Sequence, residues 1–240
     1  LLDKFEGASV GIICDVYYSG MSHRYFVKCR QTGWRSSSMS IENGNITVNP
    51  PFIQEMFIYK LFSLINVGGE VHFPLPMTPE SKKPLYIATR NVTFTLAKEL
   101  TRATINYETI SLVYFLQFIL SLGDVLTNGA NYGHTIEGHP VIVDFCIIPK
   151  DDYLLTDEQI STFWNEKVHC TSQFISEGLQ NIPKERKEEI IRKAIQEWKL
   201  FEALDQAKIY VEQFVAENEH RLEVSGDLNG YVKDIQTNIN

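Results

Sequence analysis

The chain has 240 residues, 44% hydrophobic and 22% charged, enough apolar material for one large domain or two small ones with a real core. Its 30 acidic and 22 basic side chains give a net charge of −8, and no dense Lys/Arg run interleaved with aromatics offsets it, so nucleic-acid binding is not expected. The most apolar run, ISLVYFLQFILSLG, is too short and too interrupted for a bilayer, which needs about 20 apolar residues, so no membrane span is expected either.

Four scattered cysteines, Cys14, Cys29, Cys146 and Cys170, contain no C-x-x-C pair. That argues against a zinc pattern and fits reduced thiols in a cytoplasmic or nuclear compartment. The N-x-T triplets at Asn45 and Asn91 would matter only in a secreted protein, and the first residues show no charged-then-apolar leader pattern.

In chain order, SVGIICDVYY (9–18) and RYFVKCRQ (24–31) are rich in β-branched and aromatic residues and predict a hairpin, with SGMSH as its turn. The polar stretch TGWRSSSMSIENGNITVNPP (32–51) predicts a mobile loop. After Pro50 and Pro51, the spacing of Phe52, Met56, Tyr59 and Phe62 predicts a helix that NVGG ends at 66–69. EVHFPLP (70–76) and PLYIATRNV (84–92) predict strands around the turn MTPESKK.

The character then changes. NYETISLVYFLQFILSLGD (106–124) predicts a long apolar helix, and NYGHTIEGHPVIVDF (131–145) two short strands around a turn. Beyond Asp151 the pattern is helical. Thr156 and Gln159 form a capping-box signature, Pro183 suits a first helical turn, and 183–223 is long enough for two helices, most simply solvated on their outer face. The tail DLNGYVKDIQTNIN (227–240) predicts fraying or weak docking. A strand-rich first part and a helical second part predict an α+β, two-lobed architecture, with ligand sites favoured in the cleft between lobes.

Four side chains stand out chemically. Lys28 lies in a strand whose neighbours suggest burial, and a buried ammonium needs a partner. Glu55 falls between Phe52 and Tyr59, on or beside the buried stripe of the following helix. Asn131 opens the short strand pair and Asp144 follows the apolar run VIV, so one cation can sit between them. His134, His139 and Cys146 cluster in sequence, but a strand–turn–strand aims them apart.

These residues resemble the protein-kinase-like superfamily, closest to its atypical branches: the HipA-type toxin kinases, the phosphoinositide lipid kinases and the aminoglycoside phosphotransferases. The family pattern is a strand Lys, a helix Glu, Asp-x-x-x-x-Asn, and a metal Asp before an apolar residue. The resemblance covers residues 5 to 150. It implies a two-lobed kinase-like fold, with an N-lobe over 1–92, a C-lobe over 93–240 and a hinge near Thr89 to Thr95. It also implies ATP with Mg2+ as cofactors. Lys28 would be the phosphate-binding lysine and Glu55 its partner. Asn131 and Asp144 would be the metal ligands, and Gly7 and Ser9, in EGASV, would lie in the phosphate-covering loop.

The departure is at the base. Aligned on Asn131, the proton-accepting Asp is replaced by Leu126, which cannot accept a proton. Two repairs are open: a bulge through TNGA (127–130) that brings Asp124 into place as catalytic base, or Asn128 as the ligand in place of Asn131. The expectation is a nucleotide-binding pseudokinase, acting as an interaction or regulatory module. The alternative is an active phosphotransferase using Asp124. A protein partner or protein substrate is expected rather than a small molecule.

Overall fold

The computed structural model describes residues 2–3, 11–30, 39–42, 45–48, 50–77, 85–165, 168–170 and 172–240. It is an α+β protein of two compact units. The first comprises Leu1–Ser63, Gly69–Val92 and Gln206–Leu228, and the second Leu64–Gly68, Thr93–Asp205 and Asn229–Asn240. Neither unit is contiguous in sequence. Among the described residues, no helix is long and apolar enough to cross a membrane.

In the first unit, β1 (Leu2–Asp3), β2 (Gly11–Tyr18) and β3 (Met21–Arg30) run antiparallel. The expected five-residue turn is shorter. Ser19 and Gly20 alone, at φ +50 and +79, connect β2 to β3, because two left-handed residues match the twist of the flanking strands. Residues 32–51, expected as a loop, hold β4 (Met39–Glu42) and β5 (Asn45–Val48), paired antiparallel. The β-branched Ile41, Ile46, Thr47 and Val48 outweigh the Ser and Asn around them.

Helix α1 (Ile53–Leu64) follows the two prolines. Met56, Phe57, Ile58 and Leu61 are fully buried, so apolar residues surround the helix on most sides rather than in one stripe. Asn66, in the left-handed region at φ +58, turns the chain away after it. Then come β6 (Val71–His72), much shorter than the expected strand because Pro74 and Pro76 cannot donate to a ladder, and β7 (Leu85–Arg90). The completed sheet has the order β1-β2-β3-β7-β6, with β3 central. Gly69 is required where it stands, since a Cβ there would lie 2.0 Å from the Arg90 carbonyl oxygen.

The second unit begins with β8 (Thr95–Leu96), a single 3-10 turn at Ala97–Glu99 and α2 (Tyr107–Ile119). Asn106 caps α2 by accepting from the Thr109 amide at 3.1 Å. Four short strands follow: β9 (Leu122–Gly123), β10 (Tyr132–His134), β11 (Pro140–Ile142) and β12 (Cys146–Ile147). They form two separate sheets, β11-β10-β8 and β12-β9.

Among the described residues, five helices follow: α3 (Asp157–Asn165), α4 (Gln173–Gln180), α5 (Lys184–Glu197), α6 (Leu200–Glu217) and α7 (Leu228–Ile239). The capping box forms as expected: the Thr156 amide donates to Gln159 Oε1 at 2.9 Å and the Gln159 amide to Thr156 Oγ1 at 3.3 Å. Pro183 stands one residue earlier than expected, as the N-cap of α5. The 183–223 segment is indeed two helices, broken at Lys199 (φ +46).

The tail is not loose. In α7, Tyr231, Val232 and Ile235 are buried, and the Tyr231 hydroxyl donates to the Leu120 carbonyl at 2.7 Å. Leu228, Tyr231, Val232 and Ile235 recur at helical spacing, and that apolar face anchors the C-terminus.

Candidate functional site

Two ladders set the geometry around Asp144. In β9 and β12, Gly123 pairs with Cys146, so Asp124 leaves the ladder opposite Phe145. In β10 and β11, Tyr132 pairs with Ile142, and the pairing continues one step further, where the Val143 amide donates to the Asn131 carbonyl at 2.8 Å. Asp144 is therefore bracketed, with Asn131 beside the residue before it and Asp124 beside the residue after it. Register places three polar residues together that are up to twenty positions apart in the chain.

Between Asp124 and Asn131 the chain makes a compact loop. Asp124 adopts φ +58, a left-handed conformation that Asp tolerates better than most residues, and this turns the chain sharply out of β9. The Leu126 amide donates to Gln117 Oε1 of α2 at 2.8 Å. Leu126 itself is fully buried. The Asn128 side chain accepts from the Ala130 amide at 3.1 Å, and the Asn131 amide donates to the Asn128 carbonyl. Asn128 therefore shapes the turn, a use of its side chain that differs from the metal role left open for it.

The loop closes on a contact between the two candidate residues at its ends. Asn131 Nδ2 donates to the Asp124 carbonyl at 2.5 Å and lies 3.4 Å from Asp124 Oδ2. Both acceptors are oxygens, which fixes the amide orientation and turns Asn131 Oδ1 the other way. Asn131 is buried, Asp144 half-buried and Asp124 exposed. Asp144 Oδ1 accepts from the Phe145 amide at 3.0 Å.

Cys146 reports on the local field. Its Sγ lies over Gly123, where a Cβ would come within 2.7 Å of it. Cys146 is an exposed residue, but partial burial of its thiol, then the negative charge of Asp124 and to a lesser degree that of Asp144, push its pKa above the ordinary value.

Among the described residues, no group of three or more His, Cys, Asp or Glu side chains is arranged to hold a metal ion. The oxygen set here is smaller: one amide oxygen and one carboxylate. Such a set suits Mg2+, which takes few protein ligands and completes its octahedron with water and substrate phosphates. His134 is occupied elsewhere. Its Nε2 accepts from the Asn106 amide at 3.4 Å and its Nδ1 lies 2.9 Å from the Thr135 carbonyl, tying β10 to the start of α2.

The other sequence candidates lie in the first unit. Lys28, on central β3 between Gly11 of β2 and Ile87 of β7, is 6% exposed. Its Nζ donates to the Tyr59 hydroxyl of α1 at 2.7 Å. Glu55 lies in the first turn of α1, one turn before Tyr59 on the same helix face. Gly7 and Ser9 lie outside the described residues. Two residues escaped sequence reasoning. Tyr59 read only as part of an apolar stripe, although its i,i+4 relation to Glu55 was visible, and Gln117 carried no signal at all.

No protein-family model matches the chain, and no curated protein matches its sequence.

Proposed function

We propose that the chain is a kinase-like, ATP-dependent phosphotransferase with Asp124 as its base, acting on a hydroxyl of a protein substrate. The observation that carries this reading is the Asn131 contact to Asp124, beside Asp144. An Asp seven residues before the Asn, rather than five, is brought to it by the left-handed turn and the compact loop. Leu126, which stands at the base position when the sequence is simply aligned, is a core residue.

On this reading Asn131 Oδ1 and Asp144 would hold Mg2+, which would offset negative charge on the nucleotide phosphates. By the resemblance, Lys28 would be a phosphate-binding lysine and Glu55 its partner. Asp124 accepts the proton of the substrate hydroxyl as its oxygen bonds to the γ-phosphorus. The bond from the γ-phosphorus to the β–γ bridging oxygen breaks, and ADP leaves with the electron pair.

The altered Asp–Asn spacing favours a second reading, a nucleotide-binding pseudokinase that works as an interaction or regulatory module. One experiment separates them. ATP–Mg2+ is titrated by thermal shift, and transfer of radiolabelled γ-phosphate is then measured for wild type, Asp124→Asn and Asp144→Ala. Binding and transfer in wild type, with transfer lost in Asp124→Asn and the thermal shift lost in Asp144→Ala, support the phosphotransferase. Binding without transfer supports the pseudokinase. Absence of both removes the kinase-like reading.

A further inference from the structure

We infer that Tyr59 is the positioning residue for Lys28, holding the ammonium ready for phosphate through its hydroxyl. The inference rests on the reading of Lys28 as the phosphate-binding lysine. Lys28 and Tyr59 are 6% and 4% exposed, and Nζ meets the phenol oxygen at 2.7 Å while lying 5.4 Å from the ring centroid. Strand and helix thus fix both ends of the contact, on the central strand of the sheet and on a helix buried over most of its surface.

The chemistry of the acceptor matters. A buried ammonium must be hydrogen-bonded. The Tyr59 phenol oxygen accepts such a bond, and this contact fixes the direction of Nζ. Lysine is otherwise a flexible point charge on a four-carbon stem. Glu55 stands one turn earlier on the same face of α1. Tyr59 therefore contributes to the phosphate-dependent part of nucleotide affinity, with no contact to the nucleoside.

The test is a mutant cycle read by calorimetry with ATP–Mg2+ and with adenosine as separate probes. Wild type, Tyr59→Phe, Lys28→Met and the double variant are compared. Tyr59→Phe keeps the ring and is expected to weaken ATP–Mg2+ about tenfold, the scale of one hydrogen bond to a charged group. Adenosine binding is expected to stay unchanged, and the tenfold loss to vanish when Lys28 is already Met. Unchanged ATP–Mg2+ affinity in Tyr59→Phe overturns the inference. So does an equal loss for adenosine, which marks a merely structural role, or a full loss in the Lys28→Met background. Wild type that binds ATP–Mg2+ no better than adenosine sinks the kinase-like reading and this inference together, before any variant is made. If Tyr59→Phe does not fold, Tyr59→Met, which also lacks the hydroxyl and adapts its shape, carries the same cycle.

Discussion

Asp124 and Leu126 are two residues apart and in opposite surroundings: one exposed beside Asn131, the other fully buried with its amide tied to Gln117. Restoring the usual Asp–Asn spacing with Leu126→Asp would put a carboxylate into the core. The expected outcome is a loss of stability of about 3 kcal/mol or more, the scale of an unpaired buried charge, with no gain in transfer. A urea titration and the radiolabel assay check both halves. Asp124→Asn is the informative substitution because Asn tolerates φ +58 as Asp does. Its fold and ATP–Mg2+ binding should survive while transfer falls about 10²–10⁴-fold. Undiminished transfer in Asp124→Asn would remove the base from the proposed mechanism.

At the scale of elements, the clearest test lies in the packing of α7. The Tyr231 phenol is fully buried, and that burial, with a smaller contribution from Tyr153, raises its pKa well above the ordinary value of about 10. The native state therefore keeps a proton that the unfolded chain gives up. Stability from this group is complete below about pH 10 and is lost as pH rises towards the raised native value. Tyr231→Phe should cost about 1 kcal/mol near pH 8, through the lost bond to Leu120, yet lose less stability than wild type above pH 10. Urea midpoints at pH 8 and pH 10.5 read both effects. A variant whose midpoint falls in parallel with wild type would show that Tyr231 does not titrate on unfolding.

Much of this scale was legible in the sequence. Helices α1 and α2, the hairpin of β2 and β3, the short pair β10 and β11 and the Thr156 capping box follow from apolar period, turn residues and caps. These are local causes. What was not legible depends on partners far along the chain. The docking of Tyr231 needs the Leu120 carbonyl, and β4 and β5 were hidden by the polar residues around them. The same division holds at the site. Lys28, Glu55, Asn131 and Asp144 stood out by residue type and order, whereas the place of Asp124 depended on a left-handed turn and on a ladder between β9 and β12 only two residues long. Nothing in the local sequence distinguishes Leu126 as core from Leu126 as a lost base.

For the whole molecule, the consequence lies in how the first unit is assembled. Its strands and α1 come from the first 92 residues, but Gln206–Leu228 also belongs to it. That late segment supplies specific partners. The Ile53 amide donates to the Ser225 carbonyl at 2.8 Å, Ser225 Oγ to the Pro50 carbonyl at 2.7 Å, and Gln54 Nε2 to the Asp227 carbonyl at 3.3 Å. Phe73 packs against Tyr210 and Phe214, and Lys60 lies 4.2 Å from the Tyr210 ring centroid. Without it, the start of α1 has unsatisfied backbone groups and the Phe73 side chain loses its aromatic neighbours. A fragment of residues 1–92 is therefore expected to show no cooperative thermal transition. Joining residues 206–228 to it through a flexible Gly/Ser linker should restore one, because the linker adds only loop-closure entropy while the segment returns the missing contacts. The comparison is made by circular dichroism melting of the two fragments at equal concentration. A sharp transition in 1–92 alone would show that the late segment merely covers a unit that folds without it.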